Sequence, residues 1–311
     1  MTKQSEIIND PKYIPVLDKG FVGLVDHMGS DSGIVQAARV SYGSGTKSVR
    51  EDRGLIRYLL RHRHTSPFEM ANIKFHIKLP IFIMRQLVRH RTASLNEYSA
   101  RYSIMTDEFY VPEAINIKPQ SKDNKQGRSG ELTADQSRLV QEAITDESEA
   151  AYEVYRTLLG ENKNTTVYGE DEGWDGPATT HLEHDQEFPG IARELARMVL
   201  PVNYYTELYW SQNLHNLLHL IKLRVDSHAQ WEIQQVAQAM YDTVKPLFPL
   251  TVEAFEDYVQ QGKNFSRMEV ALLKSLINEE GLRVVQEQRK QFAEEFGLSV
   301  HELDEFFAKL K

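Results

Sequence analysis

Residues 72–91 combine a strand pattern and a helix pattern with a single proline, Pro80, between them. In 72–79, NIKFHIKL, apolar and polar side chains alternate, which predicts a strand with one buried face. Proline lacks a backbone N–H and is well suited to the first turn of a helix, so the segment PIFIMRQLVRHR is predicted to be helical from Pro80 onward. The sequence therefore predicts that a strand ends and a helix begins at this residue.

The predicted helix has two chemically different faces when its residues are placed at 100° intervals. The apolar sector consists of Ile83, Met84, Leu87 and Val88. The opposite side carries Arg85, Gln86, Arg89 and His90. Because Arg91 would point back toward the apolar sector, we expect the helix to end near it. The polar run 92–102 is then predicted to be a loop beside the helix end.

Strands are predicted early in the chain and helices late, which indicates an α+β fold with a helix-rich C-terminal part. The predicted strands lie on either side of a turn at Gly20 within 14–29, at 72–79 and at 108–112. The predicted helices lie at 34–42, 51–64, 80–91, 132–159, 190–199, 205–223, 227–246 and 251–259, with two or three more in 266–311. We expect one domain over 1–265, with insertions at about 115–135 and 162–190, followed by a helical extension over 266–311.

Composition excludes several functional classes. The 311 residues carry a formal net charge of −9, which argues against a protein that coats nucleic acid through its overall field. No apolar run approaches the roughly 20 residues needed to cross a bilayer, and the N-terminus has no secretory signal pattern. A protein of the cytoplasm is therefore expected. The absence of cysteine excludes thiolate nucleophiles and Cys-ligated metals, so covalent or redox chemistry must come from other side chains or from a bound cofactor.

Three short motifs have ordinary explanations. The run Gly43–Ser48 lacks the glycine that directly precedes lysine in a phosphate-binding loop, and it is predicted to be a plain loop. His181–Asp185 and the pair His62 and His64 contain potential metal ligands, but structural or solvated histidines are favoured at both places. Asp226 and His228 are predicted to cap the helix that follows them. No metal site is predicted.

The segment 85–101 is more informative, because it concentrates guanidinium groups together with hydroxyl and amide donors. Arginine forks suit phosphate oxygens, and Glu97 could accept a hydrogen bond from a ribose hydroxyl or a base N–H. This chemistry predicts a phosphorylated, nucleoside-like ligand. A second interpretation is that the same basic strip binds single-stranded nucleic acid through Arg and Tyr contacts, although the acidic net charge disfavours it.

The spacing Arg89-His90-Arg91, seven residues and then Ser99 resembles the R-H-R-x7-S signature of the flavin-dependent thymidylate synthases. Matching text also occurs in VLDKGFVGLVDHMG, AARVSY, HTSPFE, EFYVP, ARMVLPVNYYTELYWSQN and LRVDSHAQWEIQQ, and the resemblance covers about residues 15–112 and 190–260. It implies reductive methylation of dUMP to dTMP, with methylenetetrahydrofolate as carbon donor, NADPH as reductant and bound FAD. It also implies a methyltransferase that assembles as a homotetramer, with active sites at the subunit interfaces.

The resemblance implies roles for individual residues. Arg224 is expected to polarise the uracil ring around N3 and O2. The expected dUMP contacts are Gln86, Arg89, Glu97, Tyr98, Ser99, Ala100, Arg101, Arg197 and Arg224. The expected FAD contacts are Ser41, His64, Ser66, Glu69, Arg89, His90, Arg91, Glu97, Asn213, Leu214, His215 and His219. His215 stands where many relatives have arginine, and this departure keeps open a flavoprotein that has lost synthase activity and serves as a reductase.

Overall fold

The computed structural model describes residues 1–7, 9–40, 49–122, 127–161 and 189–310. Within these ranges five strands form one antiparallel sheet in the order β1-β2-β3-β5-β4. The strands are β1 (Tyr13–Val16), β2 (Gly20–Met28), β3 (Asn72–Pro80), β4 (Ser94–Glu97) and β5 (Tyr205–Asn213). The predicted α+β class is confirmed, since helices pack beside this sheet and dominate the C-terminal part.

The helices in the described ranges are short apart from one of 25 residues. They are α1 (Gln4–Ile7), α2 (Asp31–Arg39), α3 (Val49–Arg61), α4 (Ser66–Glu69), α5 (Ile81–Leu87), α6 (Ala134–Leu158), α7 (Arg193–Ala196), α8 (Leu214–Val225), α9 (Trp231–Val244), α10 (Pro249–Phe255), α11 (Arg267–Leu276), α12 (Glu279–Glu287), α13 (Arg289–Glu295) and α14 (Val300–Leu310). A π-helical turn, Glu256–Gln260, follows α10. None of the helices in the described ranges is both long and apolar enough to cross a bilayer.

The predicted junction at Pro80 is confirmed, because β3 ends at Pro80 and α5 begins at Ile81. The predicted apolar sector is also confirmed, since Ile83, Met84 and Leu87 are buried. However, α5 ends at Leu87 rather than near Arg91. The predicted loop 92–102 contains the short edge strand β4, whose four residues are all exposed.

The largest error of the sequence prediction is the segment 205–223, which was predicted to be one helix. Its first half is β5, which pairs with β3 on one side and β4 on the other. Tyr205 and Trp210 of this interior strand are fully buried, whereas Tyr209 is exposed. Pairing on both edges therefore outweighs local helix propensity here.

Smaller differences occur elsewhere. The predicted strand 108–112 is reduced to one isolated bridge between Phe109 and Tyr204. The predicted helix 190–199 is the single turn α7 followed by a 3₁₀ turn. The tail beyond residue 265 forms four helices, one more than the upper prediction. The insertion 162–190 lies outside the described residues except for its last two positions, and so does the loop motif 43–48.

The core lies between the sheet and the helices α8 and α9, where Phe75, Trp210, Leu217 and Met240 are fully buried. The tail has a small apolar cluster of its own, formed by Ala293, Leu303 and Phe307. The tail is therefore a partly independent unit, and polar contacts with α3 hold it to the rest of the chain.

Candidate functional site

Arg224, in the last turn of α8, lies against the end of α5. Its Nε donates to Nε2 of His90 at 3.0 Å, and an Nη nitrogen donates to the backbone carbonyl of Gln86 at 3.3 Å. Burial and the positive charge of Arg89 lower the pKa of Arg224. No carboxylate in the described part of the chain pairs with this guanidinium. Its charge is uncompensated, which suits it to an anionic or electron-rich ligand.

His90 is the acceptor that orients Arg224. The ring is only 8% exposed, and its Nε2 accepts the Arg224 N–H, so that nitrogen carries no proton. Burial, reinforced by the charge of Arg224 and the neighbouring His219, lowers the pKa of His90 to about 4. A neutral, buried imidazole therefore fixes the Arg224 side chain at neutral pH.

The end of α5 also presents guanidinium groups to solvent. Arg89 and Arg91 are exposed, and neither side chain has a hydrogen-bond or ion-pair partner among the described residues. Beside them, Nε2 of Gln86 donates to Oε1 of Gln230 at 2.6 Å, which fixes the orientation of the Gln86 amide. The signature segment therefore contributes two unpaired guanidinium groups, and its His90 orients a third, Arg224 of α8.

Edge strand β4 and the residues after it contain the next predicted contacts. Oε1 of Glu97 accepts the Thr206 hydroxyl at 2.7 Å, so β5 fixes this carboxylate. Tyr98 is tied down at both ends, since its N–H donates to β5 and its hydroxyl donates to a carbonyl of the following loop. Ser99 is half-buried and Ala100 is buried. The backbone at Tyr98 and Ala100 is therefore held in place, as a backbone-mediated ligand contact requires.

Arg101 and Arg197 lie together at a second location beside α7. Nε of Arg101 pairs with a carboxylate oxygen of Glu194 at 3.3 Å, and Nε of Arg197 donates to the Glu194 backbone carbonyl at 3.3 Å. Both arginines are exposed. The structure thus brings these two predicted phosphate contacts together. No hydrogen bond or ion pair within the described ranges joins them to Arg224.

Of the predicted flavin contacts at the start of α8, His215 and His219 line one side of a cavity of about 540 Å³, whereas Asn213 and Leu214 do not. Asn213 caps α8, because its side chain accepts the N–H of the third helical residue at 3.0 Å. Leu214 is fully buried, so a contact through its side chain would require movement. His215 and His219 stand one helical turn apart and face this cavity together with His64.

His64 also borders a second, larger cavity of about 1180 Å³ between α2, α3 and α4. Ser66 lies on the wall of that cavity and is exposed. Glu69 is exposed on α4 and accepts a hydrogen bond from the Thr65 hydroxyl at 3.4 Å. Ser41 lies outside the described residues. His64 is therefore the predicted flavin contact that borders both spaces.

Four residues that the sequence did not single out belong to these surroundings. Glu194 connects Arg101 with Arg197, and Gln230 holds the Gln86 amide. Lys222, on α8, and Lys309, on α14, line the smaller cavity. Gln230 directly precedes α9, and this position in the sequence marks it as a residue at the helix start. No local pattern indicates that Lys309 lies beside the smaller cavity.

Within the described ranges, no group of three or more histidine, aspartate or glutamate side chains is arranged to hold a metal ion. The motif His181–Asp185 lies outside those ranges. Nδ1 of His228 lies 2.8 Å from the Asp226 carboxylate, and the predicted cap is wrong, because α9 has Gln230 at its N-cap and no side-chain capping bond.

Comparisons with known proteins agree with one another. The family model described as "Thymidylate synthase complementing protein" matches residues 23–250. A flavin-dependent thymidylate synthase of Rickettsia bellii is 51% identical over 276 residues, which cover 88% of each chain. An enzyme of the same name from Thermus thermophilus is 50% identical over 270 residues, covering 87% of this chain and 88% of the relative.

Solved structures give a similar result. The UMP/dUMP methylase PolB from Streptomyces cacaoi, bound with 5-Br dUMP, matches with a TM-score of 0.64 at 36% identity, covering 78% of this chain and 97% of PolB. The same protein bound with 5-Br UMP matches with a TM-score of 0.62 at 37% identity, covering 79% of this chain and 97% of PolB. About a fifth of this chain therefore has no counterpart in PolB.

Proposed function

This chain belongs to the flavin-dependent thymidylate synthase family, and we propose that it converts dUMP to dTMP by reductive methylation, with bound FAD, methylenetetrahydrofolate as carbon donor and NADPH as reductant. The family follows from the match over residues 23–250 and from relatives about half identical to this chain over most of its length. The structural neighbour, a methylase bound with a halogenated dUMP, supports a pyrimidine nucleotide as the substrate.

One observation of the structure carries the proposal: Arg224 is oriented by a neutral histidine instead of being neutralised by a carboxylate. The chain contains no cysteine, so it cannot activate the uracil ring by adding a thiolate to C6. Electrostatic stabilisation is the remaining route, because a positive charge beside N3 and O2 favours negative charge on the ring and makes C5 nucleophilic. Arg224 fits this role, since its charge is available to a ligand.

The other residues of the site act by binding and orientation. Arg101 and Arg197 hold the nucleotide phosphate, with Ser99 as a neutral donor beside them. Gln86 and Arg89, at the end of α5, position the nucleoside, and Glu97 accepts from it. The structure supports this division in one respect: Arg101 and Arg197 meet at Glu194 beside α7, whereas Gln86 and Arg89 lie at the end of α5.

The fit to FAD rests on the two cavities that meet at His64. The smaller cavity has a volume typical of small-molecule sites, and the other is somewhat larger. His64 at their junction, together with His215 and His219 in the smaller cavity, provides a polar and aromatic surface. His64, Asn213, His215 and His219 would hold the group. When bound, FAD supplies the hydride that no protein side chain can provide.

We also propose that the active site is completed between subunits of a homotetramer. Arg89 and Arg91 are exposed, and neither side chain has a hydrogen-bond or ion-pair partner in the described part of the chain. Large apolar side chains are exposed close to the predicted contacts, for example Tyr102 at 75% and Met198 at 74%. Packing of a second subunit here would bury these apolar side chains. It would also enclose the exposed guanidinium groups in a site where they contact the bound ligand.

The test is an assay of the purified full-length protein with FAD, NADPH, methylenetetrahydrofolate and either dUMP or UMP. We expect a yellow protein and dTMP formation that requires every component, with dUMP preferred over UMP. Flavin reduction by NADPH without any dTMP would support the reductase alternative instead. A colourless protein that fails to take up FAD would contradict the proposal. Binding to single-stranded DNA that is steeply salt-dependent and indifferent to dUMP would favour the nucleic-acid alternative.

A further inference from the structure

The cavity of about 540 Å³ is lined by a group of cations that the sequence comparison did not assign. Arg63, Lys222, Lys263 and Lys309 border it as exposed side chains without an ion-pair partner among the described residues, and the one carboxylate of its lining, Asp257, is paired with Arg57. They come from four different places: the end of α3, α8, the segment before α11, and α14. Unpaired cations that converge from separate elements favour an anionic ligand with more than one negative charge.

The backbone at Arg63 provides a second observation. This residue has φ of +58°, a left-handed conformation at the end of α3 that glycine adopts most readily. A long cationic side chain there carries conformational strain that glycine would avoid. The strain is explained if the side chain is needed where it lies, at the mouth of the cavity.

The C-terminal helix α14 is fixed against this cavity by buried ion pairs. Nε of Arg57 donates to Oε1 of Glu302 at 2.7 Å, and both side chains are almost fully buried. Nε of Arg61 pairs with Glu305 at 2.5 Å, one turn of α14 nearer to Lys309. Burial raises the pKa of Glu302, but hydrogen bonds from Tyr258, Ser299 and Arg57 outweigh it and lower this pKa to about 2. α14 is thus held firmly enough to position Lys309.

We propose that this cavity binds the diphosphate of a dinucleotide and that the C-terminal extension supplies one of its cations, Lys309. The inference rests on the proposed function for the identity of the dinucleotide, FAD or NADPH. It goes beyond the family match, because that match ends at residue 250 and α14 begins at Val300. The extension is then a wall of the cofactor site as well as an appendage of the core.

Pyrophosphate tests the cavity without any reference to activity. Its binding to flavin-free, full-length protein is measured by calorimetry for the wild type and for Lys309→Ala, Lys309→Arg and Lys274→Ala. Lys274 is the matched control, since it is an exposed lysine of the tail on α11 that does not line the cavity. We expect Lys309→Ala to weaken binding about three- to tenfold, as for loss of one charge-assisted contact. Lys309→Arg should retain most of the affinity, and Lys274→Ala should match the wild type.

Arg63→Gly separates a binding role from a structural one. Glycine relieves the left-handed strain, so the melting temperature should not fall, whereas pyrophosphate affinity should fall about as much as in Lys309→Ala. A drop in melting temperature without any change in affinity would contradict the proposed binding role.

Two further titrations identify the dinucleotide. If it is FAD, Lys309→Ala weakens FAD binding and leaves riboflavin, which lacks the diphosphate, unaffected. If it is NADPH, the KM for NADPH rises and FAD binding is unchanged. The proposal is overturned if the wild type does not bind pyrophosphate or if Lys309→Ala behaves like Lys274→Ala. A wild type that binds pyrophosphate but not FAD would instead refute the proposed function alone.

Discussion

Two groups of arginines in this chain have opposite environments. Arg57, on α3, has a side chain that is 2% exposed and ion-pairs with Glu302 and Asp257. Arg89 and Arg91, beyond the end of α5, are exposed and have no partner within the described part of the chain. The first group joins two parts of the fold, while the second retains its capacity to bind anions.

This comparison shows that the density of arginine in a segment does not indicate its role. α3 contains Arg53, Arg57 and Arg61 at regular helical spacing, which is as basic a stripe as the signature segment. What differs is the supply of carboxylates from distant parts of the chain, since Glu253 pairs with Arg53, and Glu302 and Glu305 with the other two. A guanidinium already bonded to carboxylates cannot bind a phosphate without losing them.

The largest expected effect is on catalysis, from Arg224→Ala. Because this guanidinium is proposed to stabilise charge on the uracil ring, dTMP formation should fall at least about 10³-fold, or about 4 kcal/mol of transition-state stabilisation. FAD binding and the melting temperature should change little. Tritium release from labelled dUMP measures the reaction, and Arg85→Ala is the control, since Arg85 is exposed on the same helix and is not a predicted contact. If both variants lose the same fraction of dTMP formation, the oriented Arg224 contributes no more to catalysis than the exposed Arg85.

The next effect is on stability, from Arg57→Ala compared with Arg89→Ala. Removing Arg57 leaves Glu302 buried without its main cation, and such a loss destabilises by about 3–5 kcal/mol. The exposed Arg89 should contribute within about 0.5 kcal/mol. Urea denaturation gives the global values, and hydrogen exchange in α14 locates the change. If both variants unfold at the same urea concentration, the buried ion pairs do not hold the tail.

A third expected effect is a pH dependence from His90. Its pKa of about 4 in the folded protein lies below the ordinary value of 6.5, so the unfolded chain binds more protons between these values. Stability contributed by neutral His90 is thus fully present above about pH 6.5 and is lost as the pH falls toward 4, by an amount on the order of 3 kcal/mol. His90→Gln retains an acceptor for Arg224 and does not titrate. Its unfolding free energy should vary less over this pH range, and an unchanged slope would contradict the assignment.

The sequence predicted local structure better than the contacts that organise the candidate site. The buried face of Ile83, Met84 and Leu87 depends on neighbours within four residues, and it is confirmed. The bond from Arg224 to His90 spans 134 positions, and the bond from Arg57 to Glu302 spans 245. Local sequence patterns contain no information on such long-range pairings. These pairings nevertheless determine which arginines are available to a ligand.

The error at β5 has the same origin. Tyr205 to Asn213 contains residues compatible with helix or strand, and its state is decided by β3, more than 120 positions earlier, and by the short strand β4. β4 itself could not be predicted from its four residues, which are exposed and show no buried face. This correction matters for the site, because β5 supplies the Thr206 hydroxyl that holds Glu97.

The smallest expected effect on stability concerns Arg101, which lies between the two groups. It pairs with Glu194, but both side chains are more than half exposed, at 56% and 53%. Exposed ion pairs of this kind contribute roughly 0–1 kcal/mol, so Arg101→Ala should leave the unfolding free energy almost unchanged. Its guanidinium is nevertheless proposed to bind the dUMP phosphate, and the Kd for dUMP should rise about tenfold.

Glu194→Gln is the matched variant: by releasing Arg101 from its weak pair, it should leave dUMP binding intact or improve it. A rise in Kd for Glu194→Gln as large as for Arg101→Ala would mean that the ion pair, rather than the guanidinium itself, forms the site. Arg101 would then belong with the arginines of α3.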